Sequence, residues 1–245
     1  MIRKTIAFTL AETLIVMGII GVVSALTLPN LNSSTGEKEK IAKVKKIYQN
    51  LDDALGRAQA VYGPFDEWFV NDVTALMQTR RFGERMTEFM KVSKNCGTEA
   101  NEGCFANNTA TWLTGGSIST NYDASPLRYK IIFADGTSVL FENEELVSAS
   151  VVPKFLIIID IDGPNKGSYT FGNDLFQFVV ENNMVIPYKP ANFSEYLSNN
   201  NGVTKHGLYA SGWVIDYDNM DYLKLDKDGK CPNGTTVTEQ NPRCK

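Results

Sequence analysis

The sequence predicts an α+β fold in which a long N-terminal α-helix lies on an antiparallel β-sheet head, with extra helices. Three observations carry this. An almost uninterrupted apolar run fills residues 8–28, a helical stripe follows over 41–62, and strand-like runs separated by turn residues occupy 127–188. Helical patterns first and strands afterwards make segregated α+β architecture rather than alternating α/β units.

The first element, Phe8 to Leu28, would span roughly 31 Å as a helix, about the thickness of a hydrocarbon core. Glu12 is its only charged residue. A carboxylate in such a segment costs on the order of 2.5–3.5 kcal/mol, so it asks for a partner or a function. Three ordinary readings compete: a secretory signal cut after Ala25, a plain anchor whose Glu12 reaches the headgroups, and a buried helix of a soluble core.

The second element begins after the polar stretch "NLNSSTGEKEK", which is expected to loosen the chain beyond Pro29. Apolar residues then recur at Ile41, Val44, Tyr48, Leu51, Leu55, Ala58 and Tyr62, alternating steps of three and four, and Gly63-Pro64 ends the run. This is one face of a helix, expected to pack on its own head. Residues 65–92 read as one or two more helices, with Trp68, Val73, Leu76, Met77, Phe82, Met86, Phe89 and Met90 as core. The polar stretch "TGGSISTNYDASP" has no period and reads as loop.

The strands follow. "LRYKIIFADGTSVLFE" sets Asp135-Gly136 between two apolar runs, a hairpin signal. "FLIIIDIDG" reads as a buried strand, and "DLFQFVVENNMVIPY" as two strands joined at Asn182-Asn183. Four or five antiparallel strands are expected.

The four cysteines fall in two close pairs, Cys96 with Cys104 and Cys231 with Cys244. Behind an apolar N-terminus this suggests two local disulfides in an oxidising compartment, with free thiols or a metal site as alternatives. Neither pair has CxxC spacing, and the single histidine, His206, belongs to no ligand pattern.

Taken whole, "IAFTLAETLIVMGIIGVVSALTLPNL" resembles the prepilin-type N-terminus shared by type IV pilins and type II secretion pseudopilins. It has the short basic leader, a cleavage point before Phe, and Glu as the fifth mature residue, with Ala7 where the family usually has Gly. The resemblance implies a leader over 1–7, cleavage by a prepilin peptidase between Ala7 and Phe8, and methylation of the Phe8 amine. It further implies a transmembrane and assembly helix over 8–29, loosened at Gly21 and Pro29, and a pilin-like periplasmic or extracellular head over 30–245. Glu12 would pair with the N-terminal amine of a neighbouring subunit, since a buried carboxylate is tolerable when a cation neutralises it.

The implied partners are the peptidase, other pilin or pseudopilin subunits and an inner-membrane assembly platform. The implied location is the inner membrane, single-pass, with the head in the periplasm. Lys38, Lys40, Lys43, Lys45 and Lys46 outnumber Arg3 and Lys4, so a strict positive-inside count favours the opposite orientation. The N-in topology is what the resemblance alone implies. The rival from another class is a membrane-anchored or secreted monomeric periplasmic binding or adhesion protein.

In "DIDGPNKGSYTFGND", Asp160, Asp162, Asn165 and Asp174 gather around glycines at a strand exit. Oxygen ligands of this kind suit Ca2+, although the spacing is not that of an EF-hand, and the same residues build tight turns. No cofactor is required by any motif. The net charge of -4 argues against direct nucleic-acid binding. His206 sits in a polar loop without a recognisable nucleophile or acid, so no enzymatic activity is expected.

Overall fold

The computed structural model describes residues 10–145, 153–198 and 202–244, and not the side chains of Glu12 or residues 24–35. The chain forms two compact units, Met1–Lys40 and Ile41–Lys245, and the helix α1, Leu10–Tyr62, contributes to both. The backbone of α1 continues through Gly21, Pro29 and the polar stretch 30–40. The polar stretch expected to loosen the chain beyond Pro29 is helical in its backbone: Ser, Thr and Asn weaken a helix without forbidding it, and Glu and Lys over 37–40 favour it.

In the larger unit the predicted stripe faces the core. Val44, Leu51, Leu55 and Ala58 are fully buried, as are Ile47 and Ala54, which widen the stripe. Gly63, with φ +82°, ends the helix in the left-handed region, and its N–H donates to the Gln59 carbonyl. A 3-10 turn, Phe65–Glu67, leads to α2, Ala75–Thr87, whose N-cap is Thr74: its hydroxyl accepts the Met77 N–H at 3.2 Å. Phe82 stacks on Phe155 with ring centroids 4.3 Å apart, within an aromatic group that includes Phe65 and Phe69. Val73 and Met77, expected in the core, are exposed at 78% and 43%. The cap at Thr74 leaves Val73 outside the helix, and Met77 falls on the outer face of α2.

Six strands form one antiparallel sheet in the order β1-β4-β5-β6-β7-β8. They are β1 (Val92–Gly97), β4 (Tyr129–Phe133), β5 (Ser138–Asn143), β6 (Phe155–Asp160), β7 (Leu175–Glu181) and β8 (Met184–Pro187). β2 (Thr109–Thr111) and β3 (Ser117–Asn121) form a separate pair. The Asp135-Gly136 hairpin joins β4 to β5, with Tyr129 opposite Phe141. Asn182 and Asn183 join β7 to β8 with φ of 51° and 61°, the left-handed pair that a tight hairpin of this hand requires.

Both faces of the sheet are covered. Ile131, Phe133, Val139, Phe141, Ile157, Phe176 and Phe178 pack with α1 and α2, whereas Leu140, Ile158 and Leu175 pack with Phe105, Tyr122, Tyr169 and Phe171. That double burial is why β6 reads as a near-continuous apolar run and β5 carries the three successive apolar residues Val139 to Phe141. Beyond the sheet, α3 (Phe193–Tyr196) and α4 (Ala210–Tyr217) close one end, with the Ser211 hydroxyl donating to the Gln177 and Tyr188 carbonyls.

Polar groups pin the β1 end of the head. The Asp123 carboxylate accepts the backbone N–H groups of Gly103, Cys104 and Phe105. Lys130, fully buried in β4, donates to the carbonyls of Asp123 and Ser125 at 2.9 and 2.8 Å. Beside them Arg128 grips Glu142 with two hydrogen bonds of 2.8 and 2.7 Å, both side chains less than a tenth exposed. Two disulfides, Cys96–Cys104 and Cys231–Cys244, close loops of the head and indicate an extracytoplasmic, oxidising compartment.

Candidate functional site

The described part of the apolar run, Leu10 to Val23, is helical, and its large side chains meet solvent. Leu10, Leu14, Ile15, Val16, Met17, Ile19, Ile20, Val22 and Val23 are between 52% and 81% exposed. At 100° per residue these positions go all the way round the helix, so the described side chains leave no continuous polar face to be hydrated. A helix apolar on every side is stable only when something apolar surrounds it. A Cβ at Gly18 or Gly21 would meet no atom within 4 Å, so this surface has shallow notches flanked by bulky residues.

Ala7 and Phe8 lie outside the described residues, as does the leader. Glu12 and Pro29 lie on α1, but their side chains are outside the described set. The expected transmembrane span, 8–29, therefore falls partly outside it. Among the described residues no helix is long and apolar enough to cross a membrane.

The edges of the sheet bear on how copies of this chain could join, because an unpaired strand edge is a template for another chain. Asp52 of α1 accepts the Val185 N–H at 3.2 Å, and the Gln59 amide donates to the Asn183 carbonyl at 3.0 Å, so helix side chains occupy the edge at β8. At the other edge β1 pairs with β4 through two register shifts and carries Lys94, whose ammonium donates to the Glu102 carbonyl. Irregular pairing and an edge lysine both disfavour strand addition.

The acidic loop after β6 is held by its own donors. Asp160 is fully buried; its Oδ1 accepts the N–H groups of Asp162 and Gly163, both at 3.2 Å, and its Oδ2 has no hydrogen-bond partner. Burial, with further contributions from Asp174 and Asp162, pushes the Asp160 carboxyl up to about 7. Asp174 Oδ2 accepts both the N–H and the hydroxyl of Ser168. Gly167, at φ +70°, lies between acids: a Cβ there would sit 2.7 Å from Asp162 Oδ2 and 3.0 Å from the Asp174 carboxyl carbon. Tyr169 also adopts positive φ, 51°, and its buried hydroxyl has no partner.

This arrangement does not fit the calcium set of the sequence. Asn165 is exposed, Asp160 Oδ1 and Asp174 Oδ2 are engaged by the loop's own donors, and no three His, Cys, Asp or Glu side chains among the described residues are placed to hold a metal ion. The loop is a turn that uses its acids to order its backbone.

His206 lies against the Trp112 ring, centroids 4.7 Å apart, and Phe171 lies 5.5 Å from the same ring. Burial, then Lys205, lowers the His206 pKa. The imidazole packs the β2–β3 side of the head. Sequence reasoning missed the edge-sealing pair Asp52 and Gln59 and the buried Lys130. The first two are ordinary polar residues of a helix surface, and only the position of β8 gives them a role.

The chain matches no family model, no curated protein and no solved structure.

Proposed function

We propose that this chain is a structural subunit of a type IV pilus or type II secretion pseudopilus, inserted in the inner membrane and assembled through its N-terminal helix. One observation supports this above the rest. The segment Leu10 to Val23 presents apolar side chains in every direction, while the head has its own core, an occupied sheet edge at β8 and an irregular, lysine-bearing edge at β1. Surface that needs cover is concentrated on that helix. A bilayer covers it before assembly, and neighbouring copies cover it within a filament.

In this reading a prepilin peptidase removes residues 1–7, the Phe8 amine is methylated, and an assembly platform in the inner membrane extracts the subunit. The Glu12 carboxylate supplies the counter-charge for the amine of the adjacent copy. A carboxylate left alone in a dry helix bundle is costly, so the pair both permits burial and fixes the axial stagger. The head, on the oxidising side, keeps its two disulfides and takes no part in chemistry.

The test has two arms. The mass of the N-terminal peptide of mature protein from membranes is expected to be that of a chain starting at N-methyl-Phe8. Glu12→Ala is expected to leave membrane insertion intact and abolish filaments. A chain that starts at Leu26, or a Glu12→Ala variant that assembles normally, overturns the proposal; an intact Met1 makes the protein a permanently anchored monomer.

A further inference from the structure

We draw no further inference here: the strongest candidate, the groove of about 340 Å3 between α1 and the Phe89–Lys91 strip, rimmed by Lys46, Arg57 and Lys91, pairs Lys46 with Asp135 and Arg57 with Asp53 within its own walls, and nothing in the structure shows what covers it.

Discussion

Asp52 on α1 accepts the backbone N–H of Val185 on β8, so a helix side chain holds the donor that a further strand would claim. Asp52→Ala leaves this partly buried N–H unpaired and is expected to cost about 1 kcal/mol in urea unfolding. Combined with Gln59→Ala, which frees the Asn183 carbonyl, it opens the edge of β8 to other chains. Sedimentation velocity of the double variant should show concentration-dependent association that the parent head lacks. A strictly monomeric double variant would mean that the short strand, not its helix partners, protects the edge.

The buried Asp160 makes a pH prediction with a definite sign. Its folded pKa, about 7, lies above the ordinary 3.8, so between these values the folded state holds a proton that the unfolded chain releases. The favourable contribution is fully present below pH 4 and is lost as pH rises to 7, at about 1.4 kcal/mol per pH unit, with no further change above. Asp160→Asn removes the titration. The stability difference between variant and parent should therefore swing in favour of the variant from pH 4 to 7 and then level off. Parallel stability curves would show that Asp160 is ionised in the folded protein.

Arg128 and Glu142 form a buried, bidentate pair, with the guanidinium also 5.1 Å from the Tyr122 ring centroid. Replacing Glu142 alone by Leu strands a buried cation and should cost about 3–5 kcal/mol. The double replacement, Arg128→Met with Glu142→Leu, should cost less than the single one, because no charge is left unpaired. A double-mutant cycle read by urea unfolding measures the coupling; additive losses would mean that solvent reaches the pair.

Gly83 lies where α2 crosses the sheet, and a Cβ there would come within 2.2–2.6 Å of the Tyr129 ring. Gly→Ala within a helix ordinarily stabilises by about 1 kcal/mol. Here α2 or the rigid ring must shift, so Gly83→Ala is expected to destabilise by about 1–3 kcal/mol. Pairing it with Tyr129→Leu should recover part of the loss. Thermal unfolding of the three variants decides whether contact, rather than helix propensity, dominates.

The same contrast between local pattern and tertiary contact explains what the sequence made legible. The α1 stripe and the β4–β8 strands were readable because burial is periodic or continuous there, and Asp135-Gly136 and Asn182-Asn183 specify their turns chemically. β1, β2 and β3 were not, because Ser, Thr and Asn dominate them and most of their positions are half-buried or exposed. A disulfide and the Asp123 carboxylate hold that region in place of a hydrophobic pattern. α4 was missed for the converse reason. Its eight residues carry no capping side chain, and its position follows from Ser211 and from the Trp213 indole donating to Asn219. Of the candidate site, the apolar helix could be read directly. The fate of the acidic loop could not, because turn acids and ligand acids have the same composition until their hydrogen-bond partners are known.

A chain beginning at Ile41 is expected to be a folded, soluble monomer. The core shared by α1 and the sheet starts at Val44, and no residue between Leu10 and Val23 belongs to it. Removing residues 1–40 therefore deletes the large exposed apolar side chains of that segment and leaves the head's own packing, disulfides and sealed edge in place. Its melting temperature should match that of the head within the longer chain held in detergent, since none of the described residues of the deleted segment belongs to the core cluster. The longer chain should aggregate when detergent is withdrawn, because a helix apolar on every side has no hydrated face to turn outward. Light scattering across the detergent step separates the cases. If the truncated head aggregates as strongly as the longer chain, association comes from the head surface, and the proposed role of the N-terminal helix in assembly fails.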